Sequence, residues 1–426
     1  MNIIQIIPGS GGSFYCGNCL RDSKFFEAMK AQGQEVIKIP MYLPLFDEER
    51  YQREVPVFYG AISMYLKQNY RLFRTMPSWM ERLLNSTPLL KLAAKKAGST
   101  RATGLEDMTL SMLLGEDGKQ KDELSQMVNW IVEHSKADVI HISNALLLGL
   151  AKTLREKTGA KIICSLQDED VWVDVMEPPL RKKVWALMGE KARYVDHFIA
   201  VSDYYASISI DRMALPPEKI TTLHLGINPE EYTFINSIQK PRTLGFISRM
   251  SHENGLDILV EAFCLLKKNP SMEDVTLLIT GGATGDDRKF LRQLKCTIAH
   301  HHLQHQVMFQ EKFDGQFRQE FFKKVALMSV PVRKGEAFGI YITEAMASGI
   351  PVVQPNLGAY PEILAKGGGG ILYPENNPKQ LAKAMETMLS NSALLEKHSL
   401  DARNSVLTHF NIHPLTQQLI TCYKNL

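Results

Sequence analysis

The stretch Glu336-Ala337-Phe338-Gly339-Ile340-Tyr341-Ile342-Thr343-Glu344, continued by Ala345-Met346-Ala347-Ser348-Gly349-Ile350-Pro351-Val352-Val353, decides how the rest of the chain is read. It sets two carboxylates eight residues apart, with Phe338-Gly339-Ile340 between them where a helix should begin. Gly349 stops that helix, and Pro351-Val352-Val353 opens a buried strand. A helix N-terminus offers unpaired N–H groups and a positive dipole end, which together seat a phosphate. A carboxylate about one turn further in, Glu344, can accept two hydrogen bonds from neighbouring hydroxyls such as a ribose diol. Glu336, outside the helix, can do the same for a second polyol. Ribose, diphosphate and sugar in a row fit this order. The spacing also has an ordinary reading, because a glycine-capped helix before a strand is common α/β grammar and glutamates fall eight apart by chance. The surrounding chain has to decide.

At 426 residues the chain exceeds one ordinary core and suggests two domains of about 200 residues. Hydrophobic content of 45% with 22% charged residues is that of a soluble globular protein. Net charge is +3, from 49 basic and 46 acidic residues, too small to point to nucleic acid. The opening Met1-Asn2-Ile3-Ile4-Gln5-Ile6-Ile7-Pro8 has no basic n-region and no cleavage signature, so it reads as a first strand. No apolar run approaches the ~20 residues of a membrane span. Six cysteines in so long a chain suggest a reducing compartment, and the cytoplasm is the expected location.

Apolar, β-rich runs recur at 2–7, 35–40, 138–142, 161–166 and 197–201, then at 243–247, 275–280, 306–309, 326–330 and 351–354, with helical patterns between them. Such alternation predicts βαβ units and parallel sheets, here as two Rossmann-like domains facing across a cleft. The expected division is 1–225, 226–405 and a closing segment 406–426, with the polar stretch 226–241 as linker. Residues 60–130 interrupt this pattern with apolar positions among Arg71, Arg74, Arg82, Lys91, Lys95, Lys96 and Arg101. They read as an insertion of amphipathic helices, which pack on their own domain or lie peripherally on a membrane surface.

Ligands of open α/β sheets sit beyond the carboxyl ends of the strands. Leu244-Gly245-Phe246-Ile247-Ser248-Arg249 ends a predicted strand in an arginine, able to grip a diphosphate with its guanidinium fork. A surface ion pair is the alternative for Arg249. Thr280-Gly281-Gly282 ends another strand in glycines that let backbone approach a ligand. At the start of the chain, Pro8-Gly9-Ser10-Gly11-Gly12-Ser13 forms a glycine-rich turn before a helix. It is not G-x-G-x-x-G and no suitable acidic residue follows about 20 residues on, which disfavours a nicotinamide cofactor; nor is it a P-loop.

These segments in this order resemble the retaining nucleotide-sugar glycosyltransferases of family 4, which have the GT-B fold. The resemblance rests on the strand ending in Arg249, Thr280-Gly281-Gly282, the Glu336/Glu344 pair with Gly339, the run 345–353, and Gly358 with Glu362. It extends to the Gly9–Gly12 turn, to 28–36, Asp138-Val139-Ile140-His141, Val201-Ser202 and 223–228 in the first half. It implies that Glu344 holds the ribose and Glu336 lies near the transferred sugar. The amides around Phe338, Gly339 and Ile340 would contact sugar and phosphate, with Gly281 nearby. Gly11 and Gly12 would approach the diphosphate, and His141 and Gln167 would contact acceptor or sugar. It further implies a hexosyltransferase with no cofactor and no metal, its co-substrate a nucleotide diphosphate sugar and its acceptor a glycan or lipid-linked precursor. Arg249 and a lysine would offset charge on the departing diphosphate.

Two departures stand out. Where the family has its lysine this chain has Asn254, and Lys334, with Arg333 next, is the candidate substitute. Where a histidine often closes the strand 161–166, this chain has Gln167, which bonds a hydroxyl but does not titrate near neutrality. Cys16-Gly17-Asn18-Cys19 is unusual for the family; without a second C-x-x-C it reads as packed or cleft-lining thiols. The rival readings are a GT-B phosphorylase or epimerase, and a degenerate domain that binds a nucleotide-sugar or a partner without turnover.

Overall fold

Short β-branched strands separated by helices bury both of their faces, and such strands pair in parallel beneath a helical cover. The chain does this twice. The computed structural model describes residues 1–8, 17–42, 58 and 105–426. One unit holds β1, the described residues from Asn18 to Leu223, and Thr416–Leu426; the other holds His224–Leu415.

In the first unit β1 (Asn2–Ile7), β2 (Glu35–Pro40), β3 (Val139–Ile142), β4 (Lys161–Leu166), β5 (His197–Ala200) and β6 (Ile220–Thr222) form a sheet of order β2-β1-β3-β4-β5-β6. Every pairing is parallel. Its core is aliphatic, with Ile4, Ile6, Ile140, Ile142, Ile162 and Ile163 fully buried. The chain passes to β2 on one side of β1 and resumes with β3 on the other, so the topological switch lies between β1 and β3.

In the second unit β7 (Thr243–Ile247), β8 (Thr276–Thr280), β9 (Val307–Phe309), β10 (Leu327–Met328), β11 (Val352–Pro355) and β12 (Gly370–Tyr373) follow the order β12-β11-β10-β7-β8-β9, again all parallel. Here the switch lies between β7 and β10. The expected pair of Rossmann-like units is therefore present.

Helix starts follow their capping chemistry. Asn377 accepts from the amides of Lys379 and Gln380 ahead of Pro378, and Ser202 accepts from the Tyr205 amide. The stretch 226–241 is no exposed tether: Tyr232, Ser237 and Lys240 are buried within the second unit. Of the insertion 60–130, the part from 105 onward is described, and it contributes the helices Glu106–Leu114 and Lys121–His134, whose apolar faces are buried. Its residues 60–104, together with Gly11, Gly12, Cys16 and the Cys19 side chain, lie outside the described residues. Among the described residues no helix is long and apolar enough to cross a membrane.

Candidate functional site

The switch between β7 and β10 directs attention to the loops after those strands. The loop after β10 carries Glu336 and ends at Gly339, which precedes the helix Ile340–Ala347 with φ 80°. A Cβ on Gly339 would come within 3.1 Å of both Glu336 Cγ and Tyr341 Cζ, so glycine lets these side chains close over the backbone. Gly358, with φ 60°, clamps Glu336 from the other side. A Cβ there would fall 2.4 Å from the Glu336 nitrogen and 2.6 Å from its carbonyl oxygen. The Ala359 amide donates to that carbonyl at 3.0 Å. The Glu336 carboxylate meets Tyr341 Oη at 2.8 Å; Tyr341 Oη meets Tyr360 Oη at 2.7 Å, and Tyr360 Oη meets the Val330 carbonyl at 3.0 Å. Burial first, and then the charge of Glu336, hold both phenols far above their ordinary range.

Glu344 is fully buried in the helix. Tyr232 Oη donates to its Oε1 at 2.5 Å, and Arg318 Nε lies 3.5 Å from the same oxygen. Burial and then the Glu344 charge raise the Tyr232 phenol well above normal, so Tyr232 remains a donor. Two partners from distant segments thus fix the carboxylate.

Arg249 follows β7. Its Nε and Nη2 fork onto Asp287 at 2.9 and 3.0 Å, and Nη2 also donates to Thr284 Oγ1 at 3.0 Å. Asp287 in turn accepts from the Thr284 amide and hydroxyl, both at 2.8 Å. Burial pushes the Asp287 carboxyl up, but the bonds from Arg249 and Thr284 outweigh it and hold the group below its usual range. Asn254 sits beside this arginine and uses its amide structurally, donating to Ser248 Oγ at 2.9 Å and to the Arg249 carbonyl at 3.0 Å. Gly281 follows β8 against the Ser248 carbonyl, and the Met250 amide donates to Gly282 at 2.8 Å. Lys334 is exposed in the Glu336 loop. Arg333 is committed elsewhere, to Asp257 and the His252 carbonyl. The side chains of Phe338 and Ile340 are buried, Phe338 against His224 and Phe410.

In the first unit, both ring nitrogens of His141 are engaged inside the protein: Nδ1 lies 2.5 Å from Tyr423 Oη and Nε2 2.8 Å from Ser165 Oγ. Burial, then the nearby Arg21 charge, lower its pKa to about 3. Gln167 stands at the carboxyl end of β4. Its Nε2 and Arg21 Nη2 both donate to the Ser143 carbonyl, at 3.2 and 3.1 Å. This fixes the amide so that Oε1 points away from that carbonyl, and among the described residues Oε1 has no hydrogen-bond partner. Glu169 accepts from the Ala145 and Gln167 amides at 2.8 Å each, yet burial raises it to about 8. No group of three His, Cys, Asp or Glu among the described residues is arranged to hold a metal.

Sequence reasoning missed Tyr232, Arg318, Asp287 and the Tyr341–Tyr360 pair. Tyr232 lies 112 residues from Glu344, and no local pattern connects them. Tyr341 and Tyr360 had a signal, since each falls inside a segment already singled out.

The family described as glycosyl transferases group 1 matches residues 229–405, and glycosyltransferase family 4 matches 118–231. The amylovoran biosynthesis glycosyltransferase of Erwinia amylovora is 29% identical over 218 residues, covering 49% of this chain and 51% of that protein. The D-inositol 3-phosphate glycosyltransferase of Stackebrandtia nassauensis is 26% identical over 208 residues, covering 46% and 47%. The chain spans about half the length of these curated relatives. Among solved structures, the Anabaena HepE protein in complex with UDP and glucose superposes with a TM-score of 0.72 at 17% identity, covering all of both chains. Sucrose-phosphate synthase from Thermosynechococcus elongatus gives 0.68 at 16% identity, over 100% and 98%. At such identities the structural likeness speaks for the fold.

Proposed function

Since this chain belongs to the family-4 glycosyltransferases of GT-B fold, we propose that it transfers a sugar from a nucleoside diphosphate sugar to an acceptor hydroxyl, with retention of anomeric configuration. The observation that carries this reading is three fixed side chains in the second unit, on the helix Ile340–Ala347, on the loop before it, and after β7, the strand paired with β10. Glu344 is held rigid within the helix, Glu336 is clamped just before Gly339, and Arg249 is forked at the end of β7.

In this reading Glu344 accepts from the ribose hydroxyls, and the amides of Phe338, Gly339 and Ile340 meet phosphate and sugar at the positive end of the helix. Glu336 accepts from a hydroxyl of the transferred sugar. Arg249, preorganised by Asp287, offsets charge developing on the departing diphosphate, and Lys334 supplies a second cation in place of the lysine replaced by Asn254. No metal is required for that step. The acceptor is a glycan or a lipid-linked precursor. UDP and UDP-glucose are the first ligands to try, because HepE, of the same fold, was solved with each.

One observation favours a second reading, a domain that binds without turnover. The Asn254 amide is spent on Ser248 and on the Arg249 carbonyl, so it contributes no charge to the leaving group. Thermal shift and nucleoside diphosphate release across a panel of nucleotide-sugars separate the two. Shift with release supports transfer, shift without release under every acceptor tried supports binding alone, and neither signal removes both.

A further inference from the structure

From Arg288 to Gln310 the chain holds four arginines and lysines, four histidines, and no aspartate or glutamate. The whole chain carries +3, so this one stretch holds more positive charge than the molecule does in sum. The helix Arg288–His300 displays that charge. At 3.6 residues per turn, Arg288, Lys289, Arg292 and Lys295 fall within about a third of its circumference. They lie opposite Leu294 and Ile298, which are buried in the second unit. All four cations are exposed, as are Ala299 and His300 on the same face. None of the four makes an ion pair among the described residues; Lys295 lies over the Phe309 ring at 5.1 Å. The nearest carboxylates in sequence are Asp286, exposed before the helix, and Asp287, committed to Arg249.

Internal stability does not account for this pattern. The N-terminal end of a helix dipole favours acids, yet the first turn here begins with Arg288 and Lys289 and holds no acid. Arg288 and Arg292, one turn apart, repel each other, and so do Arg292 and Lys295. A lysine over a sheet edge deters strand pairing, which explains Lys295 beside β9 but not the other three cations.

The face is a convex ridge of 13 residues, about 20 Å long. It offers no groove in which to hold a single polymer chain, and it meets a plane along its whole length. Past Lys295 it continues to Met308 on β9, which is exposed. Gln310 then donates to the Phe317 carbonyl at 3.1 Å, and Phe317 is exposed beneath Lys312. Cations bordered by exposed apolar side chains fit a layer of anionic headgroups over an apolar interior. We propose that the helix Arg288–His300 is the face by which the second unit docks on an anionic lipid surface. Leu294 and Ile298 are already used inside the unit, so the helix does not roll an apolar side into the bilayer, and the attachment is electrostatic. This face is separate in the chain from the segment 60–130, and its docking does not rest on the sugar transfer proposed above.

The test is cosedimentation of the full chain with vesicles of phosphatidylcholine alone and of phosphatidylcholine mixed with phosphatidylglycerol, with thermal melting alongside. The parent should bind the mixed vesicles and not the neutral ones. It should leave them when salt rises to about 1 M, where the Debye length falls to about 3 Å. Each cation at such a surface multiplies partitioning about fivefold. The triple variant Arg288→Gln, Arg292→Gln, Lys295→Gln should therefore bind about 100-fold more weakly. Glutamine keeps the helix propensity and removes the repulsion, so this variant should melt no lower than the parent. If it does melt lower, Lys289→Glu, a single exposed reversal that the dipole favours, decides in its place and should cost about 25-fold. Binding that persists in these variants and falls when Lys91, Lys95 and Lys96 are neutralised would place the contact in 60–130 and overturn the proposal. A parent that ignores mixed vesicles also overturns it. So does binding to soluble polygalacturonate without binding to vesicles, which would give the face to an acidic glycan.

Discussion

Gly358→Ala is the perturbation whose consequence can be worked most directly from the structure. The added Cβ would sit 2.4 Å from the Glu336 nitrogen and 2.6 Å from its carbonyl oxygen, where ordinary contact begins near 3.4 Å. One of the two backbones has to retreat by about 1 Å. Neither has a soft side chain to give way, since both colliding atoms are main-chain. Alanine must also hold φ near 60°, at a cost of about 1–2 kcal/mol for an L-residue. The Ala359 amide bond to Glu336 stretches with the same movement, which costs about another 1 kcal/mol. Misplacing a reacting group by 1 Å can lower turnover on the order of 100-fold. The nucleotide should bind nearly as before, because Tyr232 and Arg318 hold Glu344 from other segments. The assay pairs kcat for nucleoside diphosphate release with calorimetric titration of UDP and thermal melting. Parent-like kcat in a variant melting at the parent temperature would refute the claim that Gly358 sets the position of Glu336.

Asp287→Asn should replace the charged two-oxygen acceptor of the Arg249 fork by one neutral amide oxygen, with Thr284 Oγ1 still accepting, and lower kcat/KM roughly 10-fold, while Arg249→Lys lowers it further; equal kinetics in Asp287→Asn and parent would show that the fork is not used. If Lys334 substitutes for the missing lysine, Lys334→Ala should cut turnover sharply and Asn254→Lys should restore part of it, measured as kcat at saturating donor; an unaffected Lys334→Ala enzyme ends that assignment. His141, with a folded pKa of about 3 against 6.5 in the unfolded chain, gives stability that is present above pH 6.5 and lost as the pH falls toward 3. Between pH 7 and 5 this term is worth at most about 2 kcal/mol, so urea unfolding should fall less steeply over that range for His141→Gln than for the parent; parallel slopes would contradict it.

Much of the fold was legible because its cause is local. Strands such as Asn2–Ile7 and Thr243–Ile247 are short, apolar and bounded by turn residues, and the alternation with helices fixes parallel pairing. The strands β6 and β12 escaped notice for a physical reason. Both lie at sheet edges, β6 has only three residues with two threonines, and β12 emerges from the glycine run 367–370, which carries no strand signal. At the site, the glycines and carboxylates were legible because their chemistry needs those residue types at those spacings. Their supports were not. Tyr232 reaches Glu344 from a stretch that reads as a polar linker, and Asp287 reaches Arg249 from the start of a helix 38 residues later. Such partners are chosen by tertiary packing, which no single-chain periodicity records. Asn254 and Lys334 show the converse: a substitution visible in the sequence, whose role depends on where each side chain's bonds go.

The central claim is that the second unit binds a nucleoside diphosphate sugar through Glu344 and delivers it for transfer. It is tested most directly by nucleoside diphosphate release from a panel of nucleotide-sugars, parent against Glu344→Gln. The account predicts release by the parent from at least one donor, and a loss of about 10-fold or more in kcat/KM in the variant, since the neutral amide offers the ribose diol one acceptor in place of a charged pair. Release by neither protein, or release unaffected by Glu344→Gln, would contradict it.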